Sequence, residues 1–93
     1  MKNFLYNGSS IKKLSNNGPS VLLVHGLGLN KNMWNWQIKE LSENYTVITY
    51  DLYGHGESKP PEGKVNLKLF SNQILDILNY FKIDKTALFG FSL

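Results

Sequence analysis

The spacing of apolar residues along this 93-residue chain changes several times, and each change marks a predicted element. Val21-Leu22-Leu23-Val24 is apolar at every position, which predicts a strand covered on both faces, as in a parallel sheet flanked by helices. Tyr45 to Tyr50 is β-branched and aromatic, so it reads as a second strand that delivers Asp51 to its carboxyl end. Thr86 to Phe89 is an uncharged run ending at Gly90, and reads as a further buried strand. Between these runs the period lengthens. Met33, Trp34, Ile38 and Leu41 recur at helical spacing and end at Ser42-Glu43-Asn44. Leu67, Phe70, Ile74, Ile77, Leu78 and Phe81 form a second amphipathic stripe, with Asn66 as its N-cap. At the start of the chain, Phe4-Leu5-Tyr6 and the alternating stretch through Ile11 and Leu14 flank Asn7-Gly8. That dipeptide supplies the positive φ angles of a two-residue hairpin turn.

The order hairpin, strand, helix, strand, helix, strand is the alternation that builds an α/β fold around parallel strands. Residues 1–93 read as one partial domain, because the all-apolar last strand leaves a hydrophobic sheet edge uncovered. The chain has no interdomain linker and no internal repeat. Composition narrows the field further. The net charge is +3, and the basic side chains are all lysine, scattered along the chain, so they read as solvated surface. Without arginine's planar fork, bidentate reading of phosphates or base edges has no basis, and nucleic acid is not an expected partner. The absence of cysteine excludes disulfides and thiolate metal sites. His25 and His55 are too few to hold a catalytic zinc, which takes about three protein ligands. No apolar run has the length of a membrane span and no secretory signal opens the chain, so the expected location is cytoplasmic.

The candidate chemistry lies where the predicted strands end. His25-Gly26-Leu27-Gly28 follows the first, Asp51-Leu52-Tyr53-Gly54-His55-Gly56-Glu57-Ser58 follows the second, and Gly90-Phe91-Ser92-Leu93 follows the third. The last of these supplies four of the five positions of a Gly-x-Ser-x-Gly elbow. In that elbow a serine sits on a sharp strand-to-helix turn that tolerates only very small flanking side chains. Taken together, in this order and at these spacings, the stretches resemble the α/β-hydrolase family.

That resemblance implies a strand order 1-2-4-3-5, with the site at the carboxyl ends of the strands where the order reverses. It implies Ser92 as nucleophile, with the backbone N–H groups of Leu27 and Leu93 forming the oxyanion hole. His25, Gly26, Gly28 and Gly90 would support the loops. The family's acid and base follow the serine in chain order. The chain is therefore expected to be the N-terminal portion of a longer hydrolase, inactive by itself, whose acid and histidine lie beyond residue 93. The implied substrate is a small-molecule ester or related acyl compound, and no cofactor is implied. Serine rather than aspartate at the elbow argues against the epoxide-hydrolase and haloalkane-dehalogenase branches. Carbon-carbon hydrolases, acyltransferases and haloperoxidase-like relatives stay open.

Other readings compete for the same residues. A non-catalytic receptor or pseudoenzyme of the same fold would share every feature before residue 94. A dinucleotide-binding segment would use Gly26-x-Gly28 and Asp51, but that fingerprint needs a third glycine where Lys31 stands, and an acid about 20 residues on. Asp51 reads as an acceptor for loop N–H groups at its strand end, and both histidines read as residues that order turns. Trp34, Trp36 and Tyr53 are candidates for core, rim or pocket wall.

Overall fold

The computed structural model describes residues 2–91. Strands β1 (Lys2–Tyr6) and β2 (Ser9–Leu14) form an antiparallel hairpin. Its turn is Asn7-Gly8, at φ +50° and +83°, the left-handed pair that a tight hairpin requires. Strand β3 (Ser20–Val24) leads into a short 3-10 helix, Lys31–Trp34, and then helix α1 (Asn35–Leu41). Strand β4 (Thr46–Tyr50), helix α2 (Leu67–Tyr80) and strand β5 (Ala87–Gly90) follow. The five strands form one sheet in the order β1-β2-β4-β3-β5, the order implied by the family resemblance. The hairpin joins antiparallel through β2 and β4, while β3 pairs in parallel with both β4 and β5.

The central strands are apolar on both sides because each side has its own helix. Leu22 and Val24 of β3 join Ile48 and Tyr50 of β4 and Ile11 of β2 beneath Ile77 of α2. Val21, Leu23 and Val47 face the other way, against Ile38 of α1. Asn66 caps α2 as its sequence predicts, its side-chain oxygen accepting the Leu69 N–H at 2.9 Å.

The structure differs from the pattern reading in two places. The first helical segment is divided: Asn30 caps a 3-10 turn by accepting the Asn32 N–H, and the α-helix begins only at Asn35. Strand β5 is exposed rather than buried, with Phe89 54% accessible. It is the outer strand, paired on one side only, and among the described residues nothing covers its faces.

Candidate active site

The carboxyl ends of the parallel strands meet in register. Val24 pairs with Tyr50 on one side and with Gly90 on the other, so β3 is the strand at which the sheet order reverses. An open α/β sheet binds its ligands in the crevice outside such a point. His25 and Gly26 leave β3 there. On the other flank Phe91, the residue after β5, donates its N–H to the Val24 carbonyl at 3.1 Å.

The loop that follows β3 is a turn. Leu29 N–H donates to the Gly26 carbonyl at 3.0 Å, and Gly28 stands third in the turn at φ +81°. A positive φ at that position is what a type II turn demands, and it explains the glycine by conformation rather than crowding. The same Gly26 carbonyl takes the His25 Nδ1–H at 2.7 Å. Because C=O and N–H point in opposite directions across a trans peptide, fixing the Gly26 carbonyl also fixes the direction of the Leu27 N–H. Among the described residues that N–H has no acceptor. The Leu27 side chain is 57% exposed. The resulting feature is an oriented, unused donor at the mouth of the crevice.

The two histidines lock this turn to the loop after β4. His25 Nε2 accepts the Leu52 N–H at 2.9 Å, and His55 Nε2 accepts the Gly28 N–H at 3.0 Å. Each ring belongs to one loop and accepts from the backbone of the other. A nitrogen that accepts an N–H carries no proton, so both imidazoles are neutral with hydrogen on Nδ1, His55 directing its own toward the Tyr53 carbonyl. Burial, opposed only in part by the Gly26 carbonyl and Asp51, pushes the His25 pKa below its ordinary value. Both rings thereby tie the two loops to each other through backbone N–H groups.

Asp51 sits at the end of β4, fully buried. Its Oδ1 accepts the Lys31 N–H at 2.7 Å, and its Oδ2 accepts the Glu57 N–H at 2.9 Å and the Lys31 ammonium at 3.0 Å. Burial works against the ionised carboxylate, but these donors outweigh it and hold the pKa below the usual range. The Lys31 ammonium also reaches Glu57 Oε1 at 3.1 Å. Burial works against it as well, but its carboxylate partners raise its pKa above normal. Gly56, at φ +49°, brings the backbone so close that a Cβ there would overlap the Asp51 carboxylate. This geometry overturns the dinucleotide reading, since a carboxylate enclosed and occupied in this way cannot accept a ribose hydroxyl.

Several residues that build the site were assigned no role from sequence. Lys31 and Lys12 are buried, not solvated, with Lys31 only 3% exposed. The Lys12 ammonium lies between Asn32 Oδ1 and Asn35 Oδ1 at 3.3 and 3.2 Å. Burial, with Lys31 nearby, lowers its pKa. Gln73, fully buried on α2, accepts the Tyr53 N–H and donates to Ser9 Oγ and the Asp51 carbonyl. Ser58 Oγ donates to the same carbonyl at 2.6 Å and accepts the Ser10 N–H. Gln73 did leave a signal, as a polar residue inside the apolar stripe of α2. Lys31 left none.

The remaining predicted residues divide as follows. Ser92 and Leu93 lie outside the described residues. Gly90 is the strand-end partner of Val24, but a Cβ there would meet nothing within 4 Å among the described residues. The expected crowding at Gly90 is therefore not found among them, because β5 is the open outer strand. Trp34 packs on the α1 side of the core and Tyr53 is buried beside Lys59. Trp36 is 89% exposed and joins neither core cluster. A concavity of about 580 Å³ lies away from the crevice, among Phe4, Lys13, Tyr80 and Phe81.

A doubly wound sheet, with a tethered glycine turn at its switch point and an apolar strand entering beside it, defines a class of α/β proteins that act at the carboxyl ends of their strands. The family model described as alpha/beta hydrolase fold matches residues 19–93, and the chain belongs to the α/β-hydrolase family. It is similar to 3-oxoadipate enol-lactonase 1 of Acinetobacter baylyi, at 35% identity over 77 residues, 83% of this chain and 29% of that protein. Among solved structures it is similar to the enol-lactonase of Burkholderia xenovorans LB400, with a TM-score of 0.85 and 27% identity over 98% of this chain and 37% of that one. A thermophilic esterase of Thermogutta terrifontis gives a TM-score of 0.85 and 32% identity over 90% of this chain and 31% of that one. The chain spans about a quarter of the length of the curated relatives it matches. No helix among the described residues is long and apolar enough to cross a membrane.

Proposed function

We propose that the full-length polypeptide carrying this chain is a cytoplasmic serine hydrolase that cleaves an ester or related acyl bond of a small molecule. The observation that carries the reading is the pairing at the switch point. The Phe91 N–H holds the Val24 carbonyl, while the Gly26 carbonyl one peptide past His25 is clamped so that the Leu27 N–H stays free. The enol-lactonase and esterase among the similar proteins support the same reaction class.

In this mechanism Ser92 attacks the acyl carbon after its proton passes to a histidine supplied from beyond residue 93, itself oriented by an acid from the same region. The carbonyl oxygen becomes an oxyanion, and the Leu27 and Leu93 N–H groups receive it. Loss of one such donor costs about 3 kcal/mol of transition-state stabilisation. The leaving alcohol or enol takes the proton back, and water then releases the acyl group by the same route. The His25 and His55 imidazoles take no part in proton transfer, because their Nε2 lone pairs are engaged by backbone N–H groups.

The test is labelling of the full-length protein with a fluorophosphonate probe, with Ser92→Ala as control. Labelling of the wild type that is lost in the variant is expected. A wild type that binds small acyl compounds yet never labels would refute the reading and leave a receptor of the same fold.

A further inference from the structure

The loop from Gly26 to Asn30 has almost nothing to hold it by packing. Leu27, Gly28, Leu29 and Asn30 are all exposed, so the burial that fixes most backbone is missing here. Its position rests on polar anchors: the His25 ring at its start, the Gly28 N–H on His55 in its middle, and Lys31 at its end. The Lys31 anchor is unusual because one residue supplies both halves of it. Its backbone N–H and its ammonium grip opposite oxygens of the Asp51 carboxylate, and the ammonium continues to Glu57. A buried ion pair adds little net stability over an apolar pair of the same volume, but this one joins the loop end to both oxygens of a single carboxylate. The loop is thus chelated to the end of β4 at the residue where it re-enters helix.

We infer that Lys31 is a positioning residue for the oxyanion hole: through Asp51 and Glu57 it holds the Gly26–Asn30 turn so that the Leu27 N–H faces the reacting carbonyl. The inference rests on the proposed hydrolase reading for its kinetic consequence, but not for its structural one. Displacing a preorganised donor by an ångström lowers turnover and leaves ground-state binding nearly untouched, since the oxyanion exists only in the transition state. Glu57 contributes from the solvent side, with its side chain 75% exposed.

The experiment uses the full-length protein, p-nitrophenyl butyrate as substrate and fluorophosphonate titration to count competent serines. Lys31→Met, which keeps an unbranched side chain of similar volume without the ammonium, is expected to lower kcat per titrated serine roughly 10- to 100-fold with KM changed less than about twofold. Hydrogen exchange across 26–30 should accelerate in the same variant. An unchanged kcat per titrated serine, accompanied only by a lower Tm, would overturn the inference and reduce Lys31 to a core ion pair. If Lys31→Met does not fold, Glu57→Ala substitutes at an exposed position. A kcat lowered about threefold or more at constant KM supports the inference, and no change overturns it. If the wild type neither labels nor turns over, the hydrolase reading fails separately. Exchange across 26–30 then decides the positioning role alone: faster in Lys31→Met or Glu57→Ala supports it, unchanged exchange removes it.

Discussion

Replacing Gln73 with leucine tests whether the loop after β4 is held from the α2 side. The glutamine amide is fully buried and uses both ends: Oε1 accepts the Tyr53 N–H at 3.1 Å, while Nε2 donates to Ser9 Oγ at 3.0 Å and to the Asp51 carbonyl at 2.9 Å. Leucine has nearly the same volume and offers none of these. The partners are not equally harmed. The Asp51 carbonyl keeps Ser58 Oγ at 2.6 Å and the Ser9 hydroxyl can rotate, but the buried Tyr53 N–H is left without an acceptor. A stranded buried donor costs about 1–3 kcal/mol and each further lost neutral bond about 1 kcal/mol, partly offset by the apolar side chain, so the expected loss is about 3 kcal/mol. Urea unfolding of the full-length protein, followed by tryptophan fluorescence, reads it as a lower midpoint at constant slope. A loss below about 1 kcal/mol would show that the amide is not a structural tie and that another donor or acceptor replaces it.

Gly56→Ala should cost about 2 kcal/mol or more in the same assay, because the new Cβ overlaps the Asp51 carboxylate at a left-handed φ of +49°. Gly63→Ala, at φ +79° with open space around it, carries only the backbone term of about 1 kcal/mol. Equal costs at the two positions would remove the steric argument. The acid limb of stability should begin with His25. Its folded pKa is depressed below the unfolded value of about 6.5, so its contribution is complete above that pH and is lost as pH falls through the folded value. Asp51 is depressed as well and adds a second loss below about pH 4, as the Lys31 and Glu57 bonds fail. Nitrogen-15 shifts of His25 check the first step. A ring found protonated at pH 6.5 would contradict the acceptor role of its Nε2.

The parts of the fold legible in the sequence were those in which a period runs long enough to report direction. Val21 to Val24 has no polar alternate, and the structure gives each of its faces a separate core. The α2 stripe and its Asn66 cap specify both the face and the first residue of that helix. Asn7-Gly8 declares its turn because few other dipeptides accept two positive φ angles. Strand β5 shows the limit of the method. An uncharged β-prone run indicates what the segment can be buried by, and burial also requires a neighbour on each face.

The polar interior was harder to read, and the residues differ in how hard. Gln73 stands among Phe70, Ile74 and Ile77 on the helix face turned to the sheet, so its burial follows from helical geometry, and a buried amide must find partners. Lys31 gives no such sign. It opens a single 3-10 turn, too short to establish a face, and its partner carboxylate lies 20 positions along the chain, next to it only because β3 and β4 are paired in register. The charge that fastens the candidate oxyanion loop is therefore a product of sheet topology. Once Val24 is known to pair with Tyr50, the residues just past each strand must share one small volume. A cation in one loop and a carboxylate in the other then either neutralise each other or destabilise the fold.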